Sequence, residues 1–193
     1  MATLERDTVM DGGVTVSPTQ GRAATTGAAT TRPTRALYTP EQRVRRDATR
    51  WTLVQGILAP IQFLVFAISA TLVIRSLLTG DGERAAHFSI IAKTILLYTI
   101  MVTGAIWEKV VFGQYLFAPA FFWEDAVSFV VIALHTIYLG GLLTGRLPTT
   151  TLFVVALSAY AVYIVNAVQF LLKLRAARLQ EAEDALLRAA EAA

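Results

Sequence analysis

Long apolar runs separated by short polar segments dominate the chain after residue 51. Each is about as long as the roughly 20 residues that an α-helix needs to cross about 30 Å of hydrocarbon. Helix is expected because backbone groups in lipid must be satisfied within their own segment, and the alternating pattern of a transmembrane β-barrel is absent. The pattern predicts an all-α, polytopic membrane protein, in which residues 52–173 form a four-helix bundle with spans at 52–78, 88–111, 123–144 and 147–173.

The segments outside the bundle are polar, and each has its own pattern. Residues 1–36 have too few large aliphatic side chains to stabilise a fold, which predicts a disordered arm. Residues 37–51 are predicted to form a basic pre-helix, in which Thr39 is the N-cap and Gln42 completes a capping box. Residues 174–193 continue the helical pattern as a tail, for which a solvated helix is favoured over a coiled coil.

Basic residues are distributed unevenly across the predicted spans. Nine lie close to the spans on the side of the termini, and three lie on the other side. By the positive-inside rule, both termini and the loop between spans two and three are cytoplasmic. The net charge of +3 is modest, so no nucleic-acid partner is expected, and the mean hydropathy of +0.55 makes the lipid bilayer the natural surrounding.

Ionisable and amide side chains collect near the cytoplasmic ends of the spans. A charged group inside a membrane is costly, so each one is a candidate functional residue that needs a partner. The candidates for acid–base chemistry are Glu108, Glu124 and Asp125, and structural roles as headgroup anchors or helix-dipole partners remain open for them. The amide side chains on the same side, which could instead hydrogen-bond between helices, are Gln55, Gln62, Asn166 and Gln169.

Span three carries a polar stripe along one helical face. Its members are Glu124, Ser128, Val131, His135 and Tyr138, with Asp125 pointing elsewhere. His135 lies about 16 Å deeper than Glu124 by helical rise, so only a large flat ligand could touch both. Hydrogen bonding to another helix is the alternative role for this histidine. Lys93 in span two, near the opposite leaflet, is expected to snorkel.

The segment between spans two and three is unusual for a loop, because residues 110–122 carry no charge and many aromatic rings. Loops normally cross a solvated surface and are polar. Two interpretations remain open: an aromatic belt at the membrane interface, or a segment that dips into the headgroups or covers a pocket. The aromatic residues of this region are Phe112, Tyr115, Phe117, Phe121, Phe122 and Trp123.

Several kinds of chemistry are excluded by residues that the chain lacks. It has no cysteine, so disulfides, thiolate metal sites and cysteine nucleophiles are ruled out. Two isolated histidines cannot make a dedicated metal cage, and no nucleotide-binding glycine motif or serine-nucleophile signature occurs. Acid–base catalysis by carboxyl groups is the chemistry that remains.

Six runs of sequence are distinctive beyond their hydrophobicity. They are Tyr38–Arg43, Arg45–Thr49, Trp51–Pro60, Ile106–Gly113, Leu116–Asp125 and Asn166–Leu174. Together they resemble the 3-vinyl (bacterio)chlorophyllide hydratases of anoxygenic phototrophs. The resemblance runs from about Tyr38 to Arg178 and leaves the N-terminal arm outside the family pattern.

The resemblance implies an enzyme, a hydro-lyase of bacteriochlorophyll a biosynthesis. Such an enzyme adds water to the C3 vinyl group of a chlorophyllide and gives the 3-(1-hydroxyethyl) derivative. It also implies a multi-pass protein of the bacterial inner membrane, cytoplasmic or intracytoplasmic. The substrate is a chlorophyllide-type tetrapyrrole that carries its own magnesium, so neither a separate cofactor nor a protein metal site is expected. Other enzymes of the pathway are candidate partners.

A mechanism can be assigned to the candidate residues on this hypothesis. Glu108 or Glu124, as the neutral acid, gives a proton to the terminal vinyl carbon, and Asp125 or the second glutamate acts as base. Further residues are expected to orient the water, support the macrocycle, pair with its propionate or ligate its magnesium. These substrate-binding candidates are Gln55, Lys109, Phe112, Tyr115, Phe121, Phe122, Trp123, His135, Asn166 and Gln169.

Two other classes of function compete with the hydratase. A non-catalytic pigment-binding or assembly factor could use the same aromatic surface and His135 without performing a reaction. A small transporter would need a polar path through both leaflets, and the opposite leaflet is expected to offer little beyond Lys93.

Overall fold

The computed structural model describes residues 37–192, and every regular element within them is an α-helix. The prediction of an all-α fold is therefore confirmed for this part of the chain. The arm predicted over residues 1–36 lies outside the described residues. The helices are α1 (Pro40–Ala48), α2 (Arg50–Thr79), α3 (Glu83–Phe112), α4 (Phe122–Thr144) and α5 (Thr149–Glu191).

Four of these helices, α2 to α5, are long and apolar enough to cross a membrane. They overlap the four predicted spans, so the prediction of four long apolar helices is confirmed. Many large aliphatic and aromatic side chains on their outer faces are exposed, as expected for surfaces that contact lipid. Helix α5 continues without a break to Glu191, so the predicted tail and the fourth span are one helix.

The pre-helix begins with the predicted cap. The Gln42 amide N–H donates to the Thr39 hydroxyl, and the Gln42 side chain accepts from the Thr39 amide, which confirms the capping box. Arg43 forms a 2.7 Å ion pair with Asp184, and Arg46 forms one of 2.7 Å with Glu181. The C-terminal part of α5 is therefore packed against α1 rather than fully solvated.

Aromatic packing joins α1 to the ends of α3 and α4. The Tyr38 ring stacks on Phe112 with 5.7 Å between centroids, and Trp107 and Phe121 complete the cluster. Burial raises the pKa of Tyr38 to about 12, so its phenol stays neutral at physiological pH. We call the end of the bundle that carries α1 the α1 end.

The four long helices form two hairpins, α2 with α3 and α4 with α5, and polar contacts join the hairpins at several points within a largely apolar core. Far from the α1 end, the Ser69 hydroxyl bonds the hydroxyls of Ser89 at 2.7 Å and Tyr160 at 2.6 Å. His87 also bonds the Tyr138 hydroxyl between the hairpins. The expectation that the opposite half holds little beyond Lys93 is therefore wrong. Packing of the helices brings these hydroxyl and imidazole groups together, and the sequence of a single helix does not show such contacts.

The prediction that Lys93 snorkels is also wrong. Its side chain is completely buried, and Nζ donates to the Gln62 amide oxygen at 2.7 Å. The same Nζ lies 3.7 Å from the centre of the Tyr163 ring. Helices α2 and α5 cover the lysine from two sides, which leaves its chain no route to a headgroup. Gln62 joins helices, as the structural alternative for the amides anticipates.

Candidate functional site

Three carboxyl side chains are buried together at the α1 end. Glu108 lies in the last turns of α3, and Glu124 and Asp125 lie in the first turn of α4. Each is 4–5% exposed, although the apolar bundle offers such groups little solvation. The structure thus brings together the three residues proposed for acid–base chemistry.

Glu108 and Asp125 form a pair beneath the α3–α4 loop. Their carboxyl groups are within hydrogen-bonding reach of each other. Each also accepts a backbone N–H of the loop: Ala118 donates to Glu108 Oε2 at 3.1 Å, and Phe117 donates to Asp125 Oδ2 at 2.6 Å. We refer to these two residues as the carboxyl pair.

The α3–α4 loop, residues 113–121, has an unusual backbone that turns its amides toward the carboxyl pair. Gly113 closes α3 with φ of 87°, a value that glycine adopts without strain. Phe117 has φ of 58°, which is uncommon for a bulky side chain and costs on the order of 1 kcal/mol or more. Ala118 is fully buried. The loop therefore folds over the carboxyl pair instead of running over a solvated surface.

Glu124 faces a different partner from its neighbour Asp125. Its Oε2 lies 2.7 Å from Nζ of Lys173 on α5, and Lys173 also donates to the carbonyl oxygen of Ala120. Lys173 was not among the predicted site residues, but Asn166, Gln169 and Lys173 follow one helical face at offsets of three and seven. That spacing is the signal in the sequence that could have identified the lysine.

An open groove of about 420 Å³ borders this ion pair. Its polar members include Glu124, Lys173 and Gln169, whose Oε1 is buried and has no hydrogen-bond partner in residues 37–192. One turn deeper, Asn166 donates to the Ser128 hydroxyl at 2.8 Å and leaves its own Oδ1 without a partner in the described structure. The remaining residues that line the groove are Leu37, Leu172, Ala176 and Gln180.

The predicted aromatic platform divides into two sets. Phe112 and Phe121 are packed into the cluster with Tyr38, and they support the fold there. The other four rings lie in the α3–α4 loop or at the start of α4 and are exposed, so a membrane-embedded ligand could reach them. These exposed rings are Tyr115, Phe117, Phe122 and Trp123.

Three other predicted residues lie away from the carboxyl pair. Gln55 of α2 donates to the Thr103 hydroxyl of α3 at 2.8 Å. Lys109 is exposed and donates to the Gly113 carbonyl oxygen at 2.7 Å. His135 is completely buried within the bundle. The structure does not join these side chains to the carboxyl pair.

His135 nevertheless has one ring nitrogen that is free to bind a metal or another partner. Its Nδ1 lies 2.8 Å from the Val131 carbonyl oxygen, and because a carbonyl only accepts, Nδ1 carries the proton. Nε2 is left as a free acceptor, buried and without a partner among the described residues. The fixed tautomer is the one that a metal ligand requires.

Comparison with known proteins matches residues 38–176 to the family model for 2-vinyl bacteriochlorophyllide hydratase. The chain belongs to the 2-vinyl bacteriochlorophyllide hydratase family. The matched residues include the carboxyl pair, Glu124 and Lys173, so the whole candidate site lies within the family's extent. No solved structure matches the chain.

Two relatives are similar over most of their length. The 2-vinyl bacteriochlorophyllide hydratase of Rhodobacter capsulatus is 68% identical over 150 residues, which cover 78% of this chain and 87% of the relative. That of Cereibacter sphaeroides is 71% identical over 147 residues, which cover 76% and 91% respectively. The resemblance noted in the sequence is therefore confirmed.

Proposed function

We propose that this chain adds water across the vinyl group of a chlorophyllide-type tetrapyrrole, with the Glu108–Asp125 pair as the source of the proton. The function is supported by the family match and by both relatives, which are 2-vinyl bacteriochlorophyllide hydratases. The carboxyl pair carries the mechanistic proposal, since it is the one place in the described structure where two buried acidic groups share a hydrogen-bonding environment.

The carboxyl pair is suited to hold one proton. Two like charges in contact within a poorly solvated site repel, so one neutral and one ionised group is the favoured combination. With Glu108 as the neutral member, the Phe117 amide stabilises the ionised Asp125, and the Ala118 amide donates to Glu108 Oε2. A proton held in this way can pass to the terminal vinyl carbon when that carbon approaches Glu108, the first candidate for the acid.

The rest of the reaction needs a base and an ordered water. Protonation of the terminal carbon leaves a cation at the inner vinyl carbon, delocalised into the macrocycle. Water adds there, and its surplus proton passes to a carboxylate, so the pigment gains one water. Proton exchange with solvent then returns a proton to the carboxyl pair before the next turnover. Glu124 is the candidate base because its carboxyl group lies outside the carboxyl pair and faces Lys173. The free acceptors of Asn166 and Gln169 can orient the water.

The substrate requires a binding site beside these groups. We place one face of the macrocycle against the exposed rings of Tyr115, Phe122 and Trp123, in contact with lipid. His135 remains the candidate axial ligand for the substrate's magnesium. Its depth, about 16 Å from Glu124 along α4, requires a different placement, in which the macrocycle enters between the hairpins edge-on instead of lying against the exposed rings. No resident metal or separate cofactor is part of this proposal.

We also propose a multi-pass position in the bacterial inner membrane with both termini cytoplasmic. Nine basic residues near the spans on the side of the termini, against three on the other, support this orientation. The α1 end and its carboxyl pair then lie in the cytoplasmic leaflet, where the pathway's other enzymes are candidate partners.

Incubation of the purified protein with 3-vinyl chlorophyllide tests the function. Hydration removes one conjugated double bond, so the red absorption band must move to shorter wavelength while the pigment gains the mass of one water. Binding without either change would identify a non-catalytic pigment-binding factor and contradict the proposal.

A further inference from the structure

The groove beside Glu124 contains one basic side chain in otherwise mostly apolar surroundings. Among the described residues that line it, Lys173 alone carries a positive charge, and its walls include Leu37, Leu172 and Ala176. An ammonium group next to apolar walls is poorly screened by water, so it interacts strongly with an anion of suitable shape. Glu124 already pairs with this ammonium group at 2.7 Å, so an entering anion must compete with Glu124 or share the group, while the apolar walls contact the rest of the ligand.

The other candidate cations at the α1 end are less suitable. Arg43 and Arg46 of the pre-helix pair with Asp184 and Glu181 of α5, and neither arginine lines the groove. Lys173 is also paired, but it does line the groove. Lys109 lies on the exposed end of α3, with its ammonium group directed to the Gly113 carbonyl oxygen. In water at such a surface, an ion pair contributes little. Lys173 is thus the better placed cation for an anionic substrate group.

We propose that Lys173 binds the propionate carboxylate of the tetrapyrrole and thereby determines specificity for the free acid over its esters. This inference rests on the proposed function, which supplies a substrate with one anionic side chain and a large apolar macrocycle. The carboxylate replaces Glu124 as the partner of Lys173, or shares the ammonium group with it. The apolar walls then contact the hydrocarbon part of the propionate arm.

Exchange of partners at Lys173 also links binding to catalysis. When the substrate's carboxylate binds the ammonium group of Lys173, Glu124 is released to accept the proton of the attacking water. An esterified pigment leaves the Glu124–Lys173 salt bridge intact, so it binds more weakly and is hydrated more slowly. Lys173 acts here as a binding residue that also determines whether Glu124 is held in the salt bridge or released from it.

The decisive experiment measures binding of the 1-hydroxyethyl product as the free acid and as its methyl ester, because the product does not need to react. The wild-type protein is expected to bind the acid at least about tenfold more tightly, the range for a hydrogen bond to a charged group. Lys173→Gln should weaken binding of the acid to the level of the ester and leave the ester unchanged. Lys173→Arg should retain the preference.

Control variants distinguish the effect of substituting Lys173 from the effect of a general change in charge. Arg175→Gln removes an exposed charge two residues further along α5 and should keep the wild-type ratio of acid to ester. Glu124→Gln should tighten binding of the acid only, since it removes the competing carboxylate. Equal binding of acid and ester by the wild type, or an unchanged ratio in Lys173→Gln, would overturn the inference. In either case, continued hydration of the vinyl substrate would leave the proposed function standing.

Discussion

The carboxyl groups of Glu108, near the end of α3, and Asp125, at the start of α4, face each other beneath the α3–α4 loop. Backbone amides of Phe117 and Ala118 donate to the two groups from above. Asp125 and its neighbour Glu124 therefore have different environments, because Glu124 faces Lys173 across the bundle. One site thus contains a carboxyl pair that can share a proton and a third carboxyl group that pairs with a lysine.

Removal of one member of the Glu124–Lys173 salt bridge should destabilise the protein. Lys173→Gln leaves Glu124 buried without its cation, so the free energy of unfolding should fall by about 3 kcal/mol, the low end for breaking a buried pair because Lys173 is partly exposed. The double variant Glu124→Gln/Lys173→Gln should recover part of the loss. Thermal denaturation in detergent measures both, and additive losses in the double variant would contradict a direct interaction.

The turn that closes α3 should depend on glycine. Gly113 has φ of 87°, so Gly113→Ala should lower the free energy of unfolding by about 1 kcal/mol. Gly56→Ala is the matched control, because Gly56 lies in helix α2 with open space at the position of a Cβ atom, and this change should be neutral or stabilising. The midpoints of thermal unfolding compare the two, and equal midpoints would argue against strain at Gly113.

Substitutions of Lys93 and Gln62 should have coupled effects on the free energy of unfolding and little effect on catalysis. Lys93→Met leaves the Gln62 amide oxygen buried without a donor, so it should cost about 1–3 kcal/mol. Gln62→Leu/Lys93→Met removes both polar groups and should be near wild type or more stable. Because Lys93 lies about 22 Å from Glu108 along α3, hydration per folded molecule should remain within about twofold. A specific loss of turnover would place Lys93 in the reaction.

The orientation in the membrane can be measured on a chain that has no natural cysteine. Single cysteines at Asp81 and Arg146 lie in the turns opposite the α1 end and should react with an impermeant maleimide in intact cells. Cysteines at Gln114 and Ala189 should react only after the membrane is permeabilised. The reverse pattern would place the carboxyl pair in the outer leaflet and contradict the proposed orientation.

The number of spans was predictable because it depends on local sequence: an apolar run as long as the bilayer is thick must be helical. The position of Glu108, Glu124 and Asp125 at one end also followed from depth along each helix. The partners of these groups did not follow, because they depend on how the helices rotate against one another. Lys93 illustrates the limit, since only packing by α2 and α5 shows that it is buried.

Lys173 illustrates a second limit. In the sequence it is a basic residue at the end of a span, and that position is typical of a headgroup anchor. Its pairing with Glu124 depends on how α5 is rotated against α4, which places residue 173 opposite the first turn of α4. Hydropathy alone does not determine that rotation.

The most direct test of the account is the hydration rate of Glu108→Gln with 3-vinyl chlorophyllide, measured as the blue shift of the red absorption band. Loss of the proton donor should reduce the rate at least about 100-fold, as is typical for removal of a general acid, while binding of the pigment persists. Glu183→Gln, at an exposed position on α5, is the control and should match wild type. A Glu108→Gln rate within about twofold of wild type would contradict the carboxyl pair as the source of the proton.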